Sequence, residues 1–348
     1  AEPAREMLEI NEYVTTYLNY QVRYTKPPLF IWAIAASIKV FGVTEFACRF
    51  ASAAAGAILV GITYLFAEKF FGRRQAFLAA LSLMVAPLFL TVSRLAITDT
   101  PLSLFVACSL FSLFYGFTTG ENRWKWLGYV LIGLGVMTKG PVAIVLPAIV
   151  LIPYHFLMGE IKAAWSYYKP FKGLGIIALI ALPWFALEIW VTKGEYFQAF
   201  IMRENLQRFT GVVDHKYPFW YHIAAMFGGY FPWSCLFPFA WLSALKADKA
   251  LELKLGWVNE LRDSPPQSRA AIFCTIASLA ILTFFSASVS KLLPYTLPAF
   301  PFLACLTGFY LTALADRGKR LPFIIGLLSF SVTAAAFYPF LPILEKRI

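Results

Sequence analysis

A handful of ionisable residues in this chain stand beside stiff backbone corners. Lys26 precedes Pro27-Pro28, Asp99 precedes Thr100-Pro101, Lys139 precedes Gly140-Pro141, and Lys291 stands shortly before Pro294-Tyr295. Arg94 opens the run RLAITDTP, and Arg203 and Arg208 straddle Glu204 in RENLQRF. All lie at the edges of apolar runs. Lysine and arginine at such places can hold a phosphate through charge-assisted hydrogen bonds. A carboxylate there can orient a hydroxyl or take its proton.

Each residue also has a plainer reading. Thr98 or Asp99 can serve as a simple helix N-cap ahead of Pro101. Lys26, Lys139 and Lys291 can snorkel, as lysines at helix ends commonly do. The stretch 191–219, with Tyr196, Phe197, Phe200 and Phe209 at near-helical spacing, reads either as an interfacial helix with solvated charges or as a lid over a phosphate site. What separates these readings is whether the charged groups share one place, and that depends on the elements that carry them.

Those elements are apolar helices. The chain is 59% hydrophobic and 14% charged, with mean hydropathy +0.67, against about 25% charged for a soluble domain. A single polytopic, all-α membrane domain over 1–348 is expected. About ten spans follow the opening segment, near 46–67, 76–92, 100–117, 126–137, 141–157, 173–190, 220–242, 270–287, 292–312 and 321–340. Ahead of them a polar stretch turns at Thr25-Lys26-Pro27-Pro28 into LFIWAIAASIKVFG. That apolar segment is shorter than the roughly 20 helical residues a bilayer core requires, so a short interfacial helix over 29–41 is expected within a first outward loop, 1–45. The chain opens at Ala1 without methionine and reads as a fragment, with a first span expected upstream and room for a further C-terminal part.

Alternating the spans sorts the loops onto two faces. Lys69/Arg73/Arg74, Arg123/Lys125, Lys162/Lys169/Lys172, the 246–269 loop and Arg317/Lys319/Arg320 fall on one, the basic and hence cytoplasmic side. Lys26, Arg94, Lys139, Arg203, Arg208, Lys216 and Lys291 gather on the outward face, where basic residues are disfavoured. Cations collected there call for an anionic ligand, and phosphate is the natural one.

Other chemistries find little support. His155, His215 and His222 form no HxxxH or HExxH pair, and the five cysteines lie inside apolar runs without metal-type spacing. The net charge of +11 is scattered among spans, which argues against nucleic acid.

Together the runs AEPAREML, KPPLFIW, FGVTEFACRFASA, FGRR, RLAITDTP, TKGP, ALPWF, RENLQRF and SKLLPYTLP resemble the integral-membrane glycosyltransferases of the GT-C class. The resemblance is to the branch of aminoarabinose transferases and protein O-mannosyltransferase relatives, and it covers essentially the whole chain. It implies a GT-C type helical bundle in a bacterial inner membrane, with the active site facing the periplasm. The reaction it implies moves a sugar from a polyprenyl-phosphate donor to a lipid, glycan or protein acceptor.

On the same resemblance Asp99 is the second of two catalytic carboxylates, the first lying upstream of Ala1. Lys26, Arg208, Lys139 and Tyr295 hold the donor phosphate. From the reading of the residues themselves Lys291 is expected to join them, with Arg203, Glu204, Arg94 and Glu2 as further lid or acceptor contacts. Aminoarabinose transferases carry Glu before the Lys-Pro corner and histidines in the lid, where this chain has Thr25, Arg203 and Asn205. No cofactor is therefore expected, and a divalent metal would lack the family's ligands. In such a reaction the leaving group is already a phosphate, so cations that stabilise its growing charge matter most. A polyprenyl-phosphate or lipid transporter is the rival reading, and a structural scaffold the blandest. Neither transporter repeats nor midplane charges are evident.

Overall fold

The computed structural model describes residues 1–207, 217–246 and 264–316. Proline, glycine and charge divide these residues into helices. α1 (Glu2–Glu9) is amphipathic, with Ala4, Glu6 and Met7 turned inward. A small antiparallel hairpin follows, β1 (Tyr17–Leu18) with β2 (Gln21–Val22), where an all-helical chain was expected. Its turn residues Asn19 and Tyr20 are both left-handed, φ 55° and 58°. That conformation is awkward for side-chain-bearing residues, and the fully buried Glu6 carboxylate holds it by accepting both turn amides, at 2.7 and 3.1 Å.

α2 (Leu29–Phe41) is the short helix read from the sequence, 13 residues between Pro28 and Gly42. Phe30, Ile34, Ala35 and Ile38 pack with Ala4 and Ala47 in a small core of their own. Beside it Phe41, Phe46 and Phe50 form an exposed aromatic cluster, ring centroids 5.2–5.6 Å apart, of the kind that beds a helix in a membrane interface.

α3 (Glu45–Phe71) starts where the Thr44 hydroxyl accepts the Ala47 amide at 3.1 Å. Its 27 residues rise about 40 Å, more than a bilayer core. α4 (Arg73–Met84), α5 (Pro87–Val92), α6 (Asp99–Thr119), α7 (Asn122–Lys139), α8 (Val142–Leu157), α9 (Ile161–Tyr168) and α10 (Pro170–Val191) follow. After a π-wound stretch, Phe197–Gln207, come α11 (Tyr221–Gly229), α12 (Phe237–Lys246), α13 (Pro266–Ala287) and α14 (Phe300–Asp316).

Ten spans are not what the described residues display. Five helical segments are long and apolar enough to cross a membrane: α3, α6, α10, α13 and Leu293–Asp316, which joins a 3₁₀ turn to α14. A sixth would be the pair Tyr221–Gly229 and Trp233–Ala244, bent by 114°. The run 76–92 is broken before Pro87, because Ala86 is extended. α7 carries Arg123, Lys125 and Lys139 within 18 residues, and Gly140, at φ 91°, divides it from the shorter α8. The run 321–340 lies outside the described residues.

Aromatic stacking and close backbone approach knit the bundle. Phe66 stacks on Phe111 at 4.0 Å and Phe114 on Phe273 at 4.3 Å, tying α3, α6 and α13. A Cβ at Gly308 would stand 2.2 Å from the Gln75 carbonyl oxygen, so α14 and α4 meet backbone to backbone, as small residues permit in membrane bundles. Polar contacts mark the two ends. At one end Arg74 pairs with Asp316 (3.4 Å), Lys125 donates to the Tyr167 carbonyl (2.8 Å) and Arg269 pairs with Glu160 (2.7 Å). The other end holds Asp99, Lys139 and Tyr295.

Candidate functional site

Asp99 is the first residue of α6 and Lys139 the last of α7. These are the ends at which a helix favours a carboxylate and a cation respectively. The two helices lie side by side and antiparallel, so the ends meet: Lys139 Nζ lies 2.6 Å from Asp99 Oδ1, with 11% and 13% of the two side chains exposed. Thr98 makes no side-chain capping bond, and the Asp99 carboxylate is engaged with Lys139. Lys139 also stands 4.7 Å above the Tyr295 ring, a cation–π distance. That ring is held by Phe285 at 5.2 Å and by His222 at 6.1 Å. His222 in turn bonds the Leu292 carbonyl through Nε2 at 3.1 Å.

Two chambers open on this cluster. The larger, about 320 Å³, is bounded by α1, the hairpin, α2 and the 96–99 corner, where Phe30, Ile31, Ile34 and Ile97 line it together with Thr16, Arg23, Thr25, Thr98 and Asp99. The smaller, about 110 Å³, has an apolar wall of Leu102, Val142, Phe200, Phe284 and Phe285, with Glu204 and Ser288 at its edge. Lys26, Lys139 and Tyr295 line both. Both chambers mix apolar and polar walls, and two ammonium groups and a phenol stand between them.

The opening segment, which lends Thr16, Arg23 and Thr25 to the larger chamber, is fastened to α10 and Glu195. Thr15 Oγ1 donates to Glu188 of α10 at 2.8 Å, Trp184 Nε1 donates to the Val14 carbonyl at 3.2 Å, and the Tyr24 hydroxyl donates to Glu195 at 3.0 Å. Burial and this bond to Glu195 push the Tyr24 phenol up to about 12.

Of the residues singled out in the sequence, Lys26, Asp99, Lys139 and Tyr295 come together, and Glu204 lines the smaller chamber. Others do not join them. Lys291 is buried and spends its ammonium on the Ser288 carbonyl, and burial lowers its pKa. Glu2 is paired with Arg5. Arg94 and Arg203 are exposed and line neither chamber. Arg208 and Lys216 lie outside the described residues. The described part of 191–219 is a helix turn packed by Tyr196 and Phe200 onto Trp184 and Phe185. Among the described residues no group of three His, Cys, Asp or Glu side chains gathers as metal ligands would.

Arg23 was not anticipated. It follows β2, and the hairpin continues to it through Arg23 N–H to the Thr16 carbonyl (2.8 Å) and Thr16 Oγ1 to the Arg23 carbonyl (2.6 Å). Its guanidinium bonds no side chain among the described residues. The only sequence signal for it is the Asn19-Tyr20 turn between two very short strands.

A family model described as dolichyl-phosphate-mannose-protein mannosyltransferase matches residues 25–189. The undecaprenyl phosphate-alpha-4-amino-4-deoxy-L-arabinose arabinosyl transferase of Aeromonas salmonicida (strain A449) is 30% identical over 96% of this chain and 60% of its own length. An uncharacterised protein of Aquifex aeolicus (strain VF5) is 28% identical, over 99% of this chain and 66% of its own. Among solved structures, ArnT from Cupriavidus metallidurans bound to undecaprenyl phosphate superposes with a TM-score of 0.84 at 27% identity, covering 98% of this chain and 59% of that one. The chain thus spans about 60% of the length of the transferase relatives it matches.

Proposed function

We propose that this chain, which resembles the GT-C glycosyltransferases of the aminoarabinose transferase and protein mannosyltransferase kind, transfers a sugar from a polyprenyl-phosphate donor to an acceptor hydroxyl. One observation carries the reading: Lys26, Lys139 and Tyr295 are shared by two adjoining chambers, the smaller walled by Leu102, Val142, Phe284 and Phe285, the larger carrying Arg23, Thr25 and Asp99. A polyprenyl-phosphate sugar has the matching order of parts. Its isoprenoid enters along Leu102, Val142 and Phe285, its phosphate stops at the two ammonium groups, and its sugar lies beside Asp99.

The acceptor oxygen attacks the anomeric carbon, the bond from that carbon to the phosphate oxygen breaks, and the acceptor proton passes to a carboxylate or water. Charge grows on the departing phosphate, and Lys26 and Lys139 are placed to meet it in a low-dielectric site. Asp99, already committed to Lys139, orients that lysine and the acceptor. Arg23 lies on the acceptor side of the larger chamber, and Arg208 is retained as a donor-phosphate contact on the family resemblance alone. This end of the bundle faces the periplasm of a multi-pass bacterial membrane protein, with the Arg74, Arg123 and Lys125 end in the cytoplasm. α7, α8 and the bent pair complete the spans.

The test is transfer of labelled sugar from undecaprenyl phosphate by the full-length protein in liposomes. Lys26→Ala with Lys139→Ala should lower turnover by roughly two to three decades, the loss expected for a transition-state phosphate contact. Undiminished transfer by that variant would overturn the site. Movement of undecaprenyl phosphate across the bilayer with no sugar released would instead establish a transporter.

A further inference from the structure

At the end of the bundle opposite the Asp99 cavity, α3, α6 and α7 leave an apolar groove of about 360 Å³ between their sides. Leu65 and Phe66 of α3, Phe111 of α6 and Leu127 and Leu131 of α7 form its walls. Lys69, Tyr115 and Trp124 also line it, near the helix ends at Phe71, Thr119 and Asn122. Lys69 lies 5.6 Å over the Tyr115 ring, and Tyr115 packs edge-on against Trp124 at 5.1 Å. Tyrosine and tryptophan in that position mark headgroup depth.

The polar groups there are donors without acceptors. The neighbouring carboxylates are already taken: Glu68 lies 3.7 Å from Arg73 and Glu121 2.6 Å from Arg123. Lys69 has no ion pair among the described residues. The Trp124 indole N–H is buried with no hydrogen-bond partner. The Tyr115 hydroxyl has no hydrogen-bond partner among the described residues. An ammonium and a phenol at the polar end of an acyl-sized groove are complementary to a phosphodiester with a chain attached.

We infer that this groove is a binding site for one anionic glycerophospholipid, its phosphate at Lys69 and Tyr115 and one acyl chain between α3, α6 and α7. Its position at the basic end of the bundle suits the leaflet that carries anionic lipid. The site is separate from the Asp99 cavity and independent of what that cavity does.

Native mass spectrometry of the full-length, delipidated protein in nonionic detergent tests this, with phosphatidylglycerol and phosphatidylcholine of identical chains as probes. Wild type should retain one phosphatidylglycerol and bind phosphatidylcholine several-fold more weakly. Lys69→Gln should weaken phosphatidylglycerol about fivefold, the effect of one surface cation on anionic lipid. Cys108→Phe, which fills the groove from α6, should remove the bound lipid. Lys69 is exposed, so its variant should unfold at the wild-type temperature without lipid, which separates lost binding from lost fold. Equal retention by wild type and Lys69→Gln, or equal binding of the two lipids, would overturn the proposal. So would displacement of phosphatidylglycerol by undecaprenyl phosphate at equal concentration, which would make the groove a donor entrance.

Discussion

Lys139 and Asp99, 40 residues apart, are joined at 2.6 Å because α6 and α7 run antiparallel and end a charge of each sign at the same level. Both side chains are nearly nine-tenths buried, so the pair is worth more as a pair than either member alone. Asp99→Asn or Lys139→Gln should each destabilise the protein by about 3 kcal/mol, since each strands a buried charge. The double variant should recover most of that loss. Thermal unfolding in detergent measures the cycle, and simple additivity of the two losses would show the contact to be energetically idle.

Glu6 determines whether the hairpin exists. Its carboxylate takes the amides of Asn19 and Tyr20, both in the left-handed region. Glu6→Ala should cost about 3 kcal/mol of local stability, from two charge-assisted bonds lost in a buried place. Hydrogen exchange followed by mass spectrometry should show lost protection over 17–22 with α6 unchanged. Asn19→Gly should leave protection intact, because glycine enters the left-handed region freely. Protection that survives Glu6→Ala would mean the turn holds itself.

Gly308 and Gly61 make opposite predictions for one substitution. A Cβ at Gly308 would meet the Gln75 carbonyl oxygen at 2.2 Å and the Ala79 amide nitrogen at 2.9 Å, both backbone, whereas nothing lies within 4 Å at Gly61. Gly308→Ala should therefore lower stability by about 1–3 kcal/mol, the range for overpacking. Gly61→Ala should be neutral or slightly stabilising. Comparable midpoints for the two variants would contradict the close crossing of α4 and α14.

Tyr24 gives a pH dependence of definite sign. Its phenol is pushed from 10 up to about 12 in the folded protein, by burial first and then by the Glu195 bond. Between these values the unfolded chain has lost the proton that the folded chain keeps, so stability falls as pH rises. Its contribution is whole below pH 10 and is lost through pH 12. Tyr24→Phe should flatten this part of the unfolding profile. Phenolate absorbance that shows every tyrosine titrating near 10 would remove the basis for the prediction.

Local signals singled out Lys26, Asp99 and Lys139 as candidates and the family resemblance added Tyr295, while the structure brought the four together. Each stands beside a proline or glycine that stops an apolar run, and a charge at the end of a buried helix has few places to go. The length of α2 was legible for the same reason, with Pro28 and Gly42 bounding it. The number of spans was not. An apolar run reports burial but not continuity: 76–92 is interrupted at Ala86, whereas the corner at Gly140 already divided 126–137 from 141–157. Glu2 turns to Arg5 and Lys291 to the Ser288 carbonyl, contacts three residues away in sequence that a reading by charge and face alone passed over. Tertiary structure alone brought Lys26, Asp99, Lys139 and Tyr295 to one place. It also brought Arg23 in. Strands of two residues carry no periodicity to read, and the carboxylate that makes their turn possible comes from Glu6, on a separate helix.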